Sequence, residues 1–119
     1  MTKVGFIGLG IMGGPMATKL QEGGCKLYLH DLKNPPLALI EGGATVCTNA
    51  TEVAKRADII IVMVPDTPHV EEVLFGEDGV AAGLTPGKIV VDMSSISPMA
   101  TKEFAMKINK RQCDYLDAP

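Results

Sequence analysis

Residues 8–13 read Gly8-Leu9-Gly10-Ile11-Met12-Gly13, and the segments on either side narrow what such a run can be. Before it stands Lys3-Val4-Gly5-Phe6-Ile7-Gly8, a short apolar run that reads as a buried strand. After it, Met12, Met16 and Leu20 recur at four-residue steps, the apolar face of a helix over 11–22, with Gly23-Gly24 as its stop. In a GxGxxG that joins a strand to a helix, the first glycine permits the tight turn and the second lets the backbone approach a pyrophosphate. The third lets the helix lie close on the strand, and the helix N-terminus presents free N–H groups to the anion. The second strand, Lys26-Leu27-Tyr28-Leu29-His30-Asp31, ends on a carboxylate about 20 residues further along, where it can accept hydrogen bonds from an adenosine ribose. A glycine-rich turn with Asp31 as a solvated strand end is the plainer alternative. Asp31 would also meet a 2′-phosphate with like charge, which favours NAD over NADP; Leu32 offers no cationic clamp, although Lys33 could reach around.

The alternation continues down the chain. A short helix is expected over 35–41, ended by Gly42-Gly43, then a strand at Ala44-Thr45-Val46, and Asn49-Ala50-Thr51-Glu52 has the spacing of a helix-capping box. Asp58-Ile59-Ile60-Ile61-Val62-Met63-Val64 is β-branched and apolar on both faces, as a strand covered by helices on each side requires, and Pro65 ends it. A helix over 68–75, a loop over 76–87 with at most one turn, and a fifth strand over 88–93 follow. Ser97 and Pro98 suit the N-cap and first position of a helix carrying Ala100, Phe104 and Ile108 on one face, with Lys102, Glu103 and Lys107 turned to water; Cys113 to Leu116 begins a sixth strand. Strands and helices alternating at this spacing imply an α/β, doubly wound parallel sheet, whose ligand lies at the carboxyl ends of the strands.

Composition narrows the partners. At 119 residues and 46% hydrophobic the chain can bury a core. Its longest uninterrupted apolar run, Ile59 to Pro65, falls far short of the roughly 20 residues of a membrane-spanning helix, and no signal peptide is read at the N-terminus. A net charge of −3 with scattered Lys and Arg offers nucleic acid or an anionic membrane no footprint, so a small-molecule partner is expected. Cys25, Cys47 and Cys113 form no CxxC pair and have no neighbouring histidine, so packing roles, no metal site and a reducing cytoplasm are the expectation.

Phe6-Ile7-Gly8-Leu9-Gly10-Ile11-Met12-Gly13-Gly14-Pro15-Met16-Ala17 resembles the N-terminal signature of the β-hydroxyacid dehydrogenases, in which methionines accompany the glycines. The resemblance continues through Met63-Val64-Pro65-Asp66, Asp92-Met93-Ser94-Ser95-Ile96-Ser97-Pro98 and Asp117-Ala118-Pro119, and so spans essentially the whole chain. Within the family, the run from Met63 to Glu77 is most similar to the branch acting on tartronate semialdehyde, with the 3-hydroxyisobutyrate branch second.

The resemblance implies a Rossmann-type NAD-binding domain over 1–119, incomplete at its C-terminal end, from an oxidoreductase interconverting a short 3-oxo acid and its hydroxy acid. It implies that Val64, Pro65 and His69 line the cofactor groove beside the glycine turn, that Ser95 reaches the nicotinamide end, and that Ser94 hydrogen-bonds the substrate carboxylate. The plainer readings are that Ser94 and Ser95 merely satisfy backbone donors at a helix entry, that His69 is simply exposed, and that Asp66 is a turn residue. In the family the catalytic lysine lies in Lys-x-x-Asn-Asn on a second, helical domain, and a glycine turn that holds substrate follows Asp-Ala-Pro; this sequence contains neither. The expectation is an N-terminal piece of a longer, homo-oligomeric enzyme, itself carrying no catalytic residue and inactive alone. A nucleotide-binding module without catalysis is the alternative of another class.

Overall fold

The computed structural model describes residues 2–8, 10–30, 37–64, 67–94 and 97–118, with the backbone alone for 10–13. Its strands are β1 (Lys3–Ile7), β2 (Lys26–His30), β3 (Thr45–Val46), β4 (Ile59–Val62), β5 (Ile89–Asp92) and β6 (Asp114–Asp117). The helices are α1 (Gly10–Glu22), α2 (Leu37–Glu41), α3 (Ala50–Arg56), α4 (Thr67–Phe75) and α5 (Pro98–Asn109), with a 3-10 turn at Val80–Gly83. All the pairings are parallel, in the order β3-β2-β1-β4-β5-β6.

The period of two along each strand sorts its side chains between two cores. Val4 and Phe6 of β1, Leu27 and Leu29 of β2 and Ile61 of β4 pack with Ala17 of α1 and Leu39 of α2. Ile7, Ile60, Val62, Val90 and Tyr115 point the other way, against Val53 of α3, Val70 and Leu74 of α4, and Phe104 and Ile108 of α5. The apolar-on-both-faces reading of β4 thus holds, because helices cover both sides. The chain changes face between β3 and β4, and the strand order reverses there, so the crevice of the fold opens between the ends of β1 and β4. Gly5 is needed for this closeness: a Cβ on it would lie 2.3 Å from Cγ1 of Val53, so α3 rests almost on the β1 backbone.

Local signals are met with one difference. Asn49 caps α3 by accepting from the Glu52 N–H at 2.8 Å, but the Glu52 carboxylate accepts from the Thr48 hydroxyl at 2.8 Å and pairs with Arg56 at 3.4 Å. Only the N-cap half of the expected capping box is therefore formed. Ser97 caps α5 by accepting from Ala100 N–H, with Pro98 at the first position as expected. Cys47 and Cys113 are buried in the core and Cys25 is half-buried against the other one, as packing residues are. Burial, followed by the negative charge of Glu52, pushes the Cys47 thiol up. Among the described residues no helix is long and apolar enough to cross a membrane.

Candidate functional site

At the carboxyl edge of the sheet, β1 ends in the first glycine of the turn. Gly8 has φ +77°, a conformation L side chains rarely adopt, and its N–H donates to the His30 carbonyl at the end of β2 at 3.1 Å. A Cβ there would sit 2.3 Å from the Met63 carbonyl oxygen and 2.9 Å from Cγ1 of Val64. The turn is thus pressed against the exit of β4, and α1 starts two residues later with its N-terminus over the crevice. The first turns of α1, α4 and α5 carry no acidic residue, so no carboxylate within those turns offsets the positive ends of the helix dipoles at this edge. A turn that opens on a glycine of positive φ and leads into a helix N-terminus has the form that receives a dinucleotide's pyrophosphate.

The neighbouring exits are tied together. Met93 N–H donates to the Val62 carbonyl at 2.9 Å and Ala118 N–H to the Asp92 carbonyl at 2.9 Å, so the segments after β4, β5 and β6 run on side by side. Val64 is half-buried next to Gly8, and its N–H donates to Oγ of the buried Ser94 at 2.8 Å. Ser94 N–H in turn donates to Oδ1 of Asp92 at 2.9 Å, and the Tyr115 hydroxyl donates to Oδ2. Burial, with the Asp92 hydrogen bond and the charges of Asp92 and Asp117, pushes the Tyr115 hydroxyl far above its ordinary range. The entries of α4 and α5 are also joined, since Ser97 N–H donates to Oγ1 of Thr67 at 3.3 Å.

Gly8, the backbone of Gly10, Ile11, Met12 and Gly13, Val64 and Ser94 are therefore gathered at one edge, as the sequence led one to expect. His69 lies exposed in the first turn of α4, whose entry is part of the same edge. Leu9, Asp31, Leu32, Lys33, Pro65, Asp66 and Ser95 lie outside the described residues. The Ser94 hydroxyl satisfies a backbone donor, that of Val64, as in the plainer reading, and its own proton is not spent in doing so. Reading the sequence gave no role to Asp92 and Tyr115. A carboxylate closing an otherwise apolar strand, Ile89-Val90-Val91-Asp92, was the one available signal.

A parallel doubly wound sheet with a glycine turn at its switch point defines a nucleotide-binding α/β domain of Rossmann type. A family profile, the NAD binding domain of 6-phosphogluconate dehydrogenase, matches residues 3–119, and the chain belongs to that family. It is 51% identical over 98% of its length to 2-hydroxy-3-oxopropionate reductase of Escherichia coli (strain K12), of which it covers 40%. It superimposes with TM-score 0.85 and 31% identity on the structure of Mycobacterium tuberculosis 3-hydroxyisobutyrate dehydrogenase with L-serine, covering 100% of this chain and 40% of that one. An imine reductase from Myxococcus stipitatus in complex with NADP+ matches with TM-score 0.85 at 26% identity, over 97% of this chain and 39% of that one. The likeness to the β-hydroxyacid dehydrogenases is thus borne out, and the chain spans about two-fifths of the length of these relatives. The cofactor class is NAD(P).

Proposed function

We propose that the chain is the nucleotide-binding part of a reductase that converts the aldehyde of a short 3-oxo acid to the hydroxy acid, tartronate semialdehyde to glycerate. The half-identity to the E. coli reductase carries the choice of substrate; 3-hydroxyisobutyrate and its aldehyde are the runner-up, on the structural match. A bound nicotinamide would supply the hydride. Gly8, Leu9, Gly10, Ile11, Met12 and Gly13 would hold the pyrophosphate on the turn, Asp31 the adenosine ribose, and Val64, Pro65, His69 and Ser95 the remainder of the cofactor, NAD rather than NADP. Ser94 would donate a hydrogen bond to the substrate carboxylate. Residues 1–119 would form the nucleotide-binding domain, and a second, helical domain would add the lysine that protonates the developing alkoxide and the contacts between subunits. Three unpaired cysteines, two of them in the core, suit a reducing cytoplasm.

The 119-residue chain is expected to bind NADH and to turn over no tartronate semialdehyde. The natural enzyme that carries it should reduce tartronate semialdehyde with a kcat/KM about tenfold or more above that for the aldehyde of 3-hydroxyisobutyrate. The reverse preference replaces the substrate, and turnover by the chain alone overturns the division of labour.

A further inference from the structure

Asp92 is wholly buried at the end of β5 and its carboxylate is engaged at both oxygens by neutral donors, the Tyr115 hydroxyl from β6 and the Ser94 N–H. Burying a carboxylate is costly, and in a site that served only packing an apolar side chain would do, as Val90 does two residues earlier on the same face. What the carboxylate adds is direction. It fixes Ser94 so that Oγ takes the Val64 N–H on one lone pair. A serine hydroxyl has one proton and two lone pairs, so the proton remains to be donated, and no acceptor for it lies among the described residues.

We propose that Asp92, clamped by Tyr115, is a positioning residue: it locks Ser94 as a hydrogen-bond donor toward a carboxylate oxygen of the acid bound at the carboxyl edge. This rests on the substrate role of Ser94 given above. Asp92 touches no ligand itself and acts through Ser94.

The test titrates glycerate into the NADH-loaded natural enzyme that carries this chain, followed by the amide resonances of Val64 and Ser94. Ser94→Ala and Asp92→Ala should each weaken glycerate about tenfold, and the double variant should be no worse than either single one. Asp92→Asn should restore most of the loss, since its amide oxygen can accept from Ser94 and its amide nitrogen can donate to the Tyr115 oxygen. If Asp92→Ala costs nothing, or costs as much in the Ser94→Ala background as alone, the positioning role fails while the reading of Ser94 stands. If Ser94→Ala costs nothing, or the wild type shows no glycerate shifts, the reading of Ser94 fails and takes the role of Asp92 with it. Tyr115→Phe keeps the carboxylate, and hydrogen exchange at the Ser94 and Val64 amides should then quicken about tenfold. Unchanged exchange also overturns the proposal.

Discussion

A methyl group on Gly8 would overlap the Met63 carbonyl, and the backbone there already has a positive φ, so the first position of the turn admits glycine alone. Gly10 differs: it is the first residue of α1, where its backbone is helical, and in the function proposed above it is the ligand that would demand glycine. Gly10→Val is therefore expected to leave the circular dichroism spectrum and melting curve near wild type while abolishing the change in NADH fluorescence. Asp31 sets cofactor choice on this account, through charge-assisted hydrogen bonds to the ribose on the order of 1.5–3 kcal/mol. Asp31→Ala should weaken NADH by about 10- to 100-fold and leave NADPH unchanged or improved. Titrating both cofactors against wild type, Asp31→Ala and Lys33→Ala decides it; a wild-type preference for NADPH that Lys33→Ala removes would hand the choice to Lys33.

The buried Lys88 joins two elements before the sheet does. It leads into β5, yet its Nζ donates to the Lys55 carbonyl at 2.8 Å and to that of Ala54, closing the C-terminus of α3 where the helix dipole is negative. Burial draws its pKa down, opposed by the charge of Asp58. Lys88→Met should destabilise the chain by about 1–2 kcal/mol in urea, the lost charged hydrogen bonds partly offset by the removed desolvation. The strands and most helix ends were legible in sequence because they depend on local patterns: β-branched runs for β4, Ser97-Pro98 for the start of α5, Gly23-Gly24 for the end of α1. Lys88 on α3 and Tyr115 on Asp92 were not legible. Each joins residues far apart in sequence, and the meeting is decided by how α3 lies on the sheet and by the β5–β6 register, which no local window contains. The site was legible in the same proportion: the glycine turn is local, whereas the support beneath Ser94 is not.

Across the whole molecule, the titration of buried groups gives stability a shape with pH. The unfolded chain gives up the Tyr115 proton near pH 10 and the Cys47 proton near about 8.5. The folded chain holds both longer, because burial raises each. Their contribution is complete below those values and is lost as pH climbs through them, by up to about 1.4 kcal/mol per pH unit for each group. Lys88 runs the other way, since its folded pKa is lowered: the cost of its buried charge is relieved as pH rises toward about 10.4. Urea midpoints should therefore fall steeply above pH 10, and Tyr115→Phe should flatten that fall; an unchanged slope would mean Tyr115 is not the group responsible. The central claim, that the carboxyl edge between β1 and β4 receives a dinucleotide, is tested most directly by titrating NADH into the isotope-labelled chain and mapping amide shifts. Shifts should concentrate at Gly8, the first turn of α1, Val64, Ser94 and the entry of α4, with Gly24, Gly43 and Gly87 at the opposite edge unmoved. No binding, or shifts centred on that opposite edge, would contradict it.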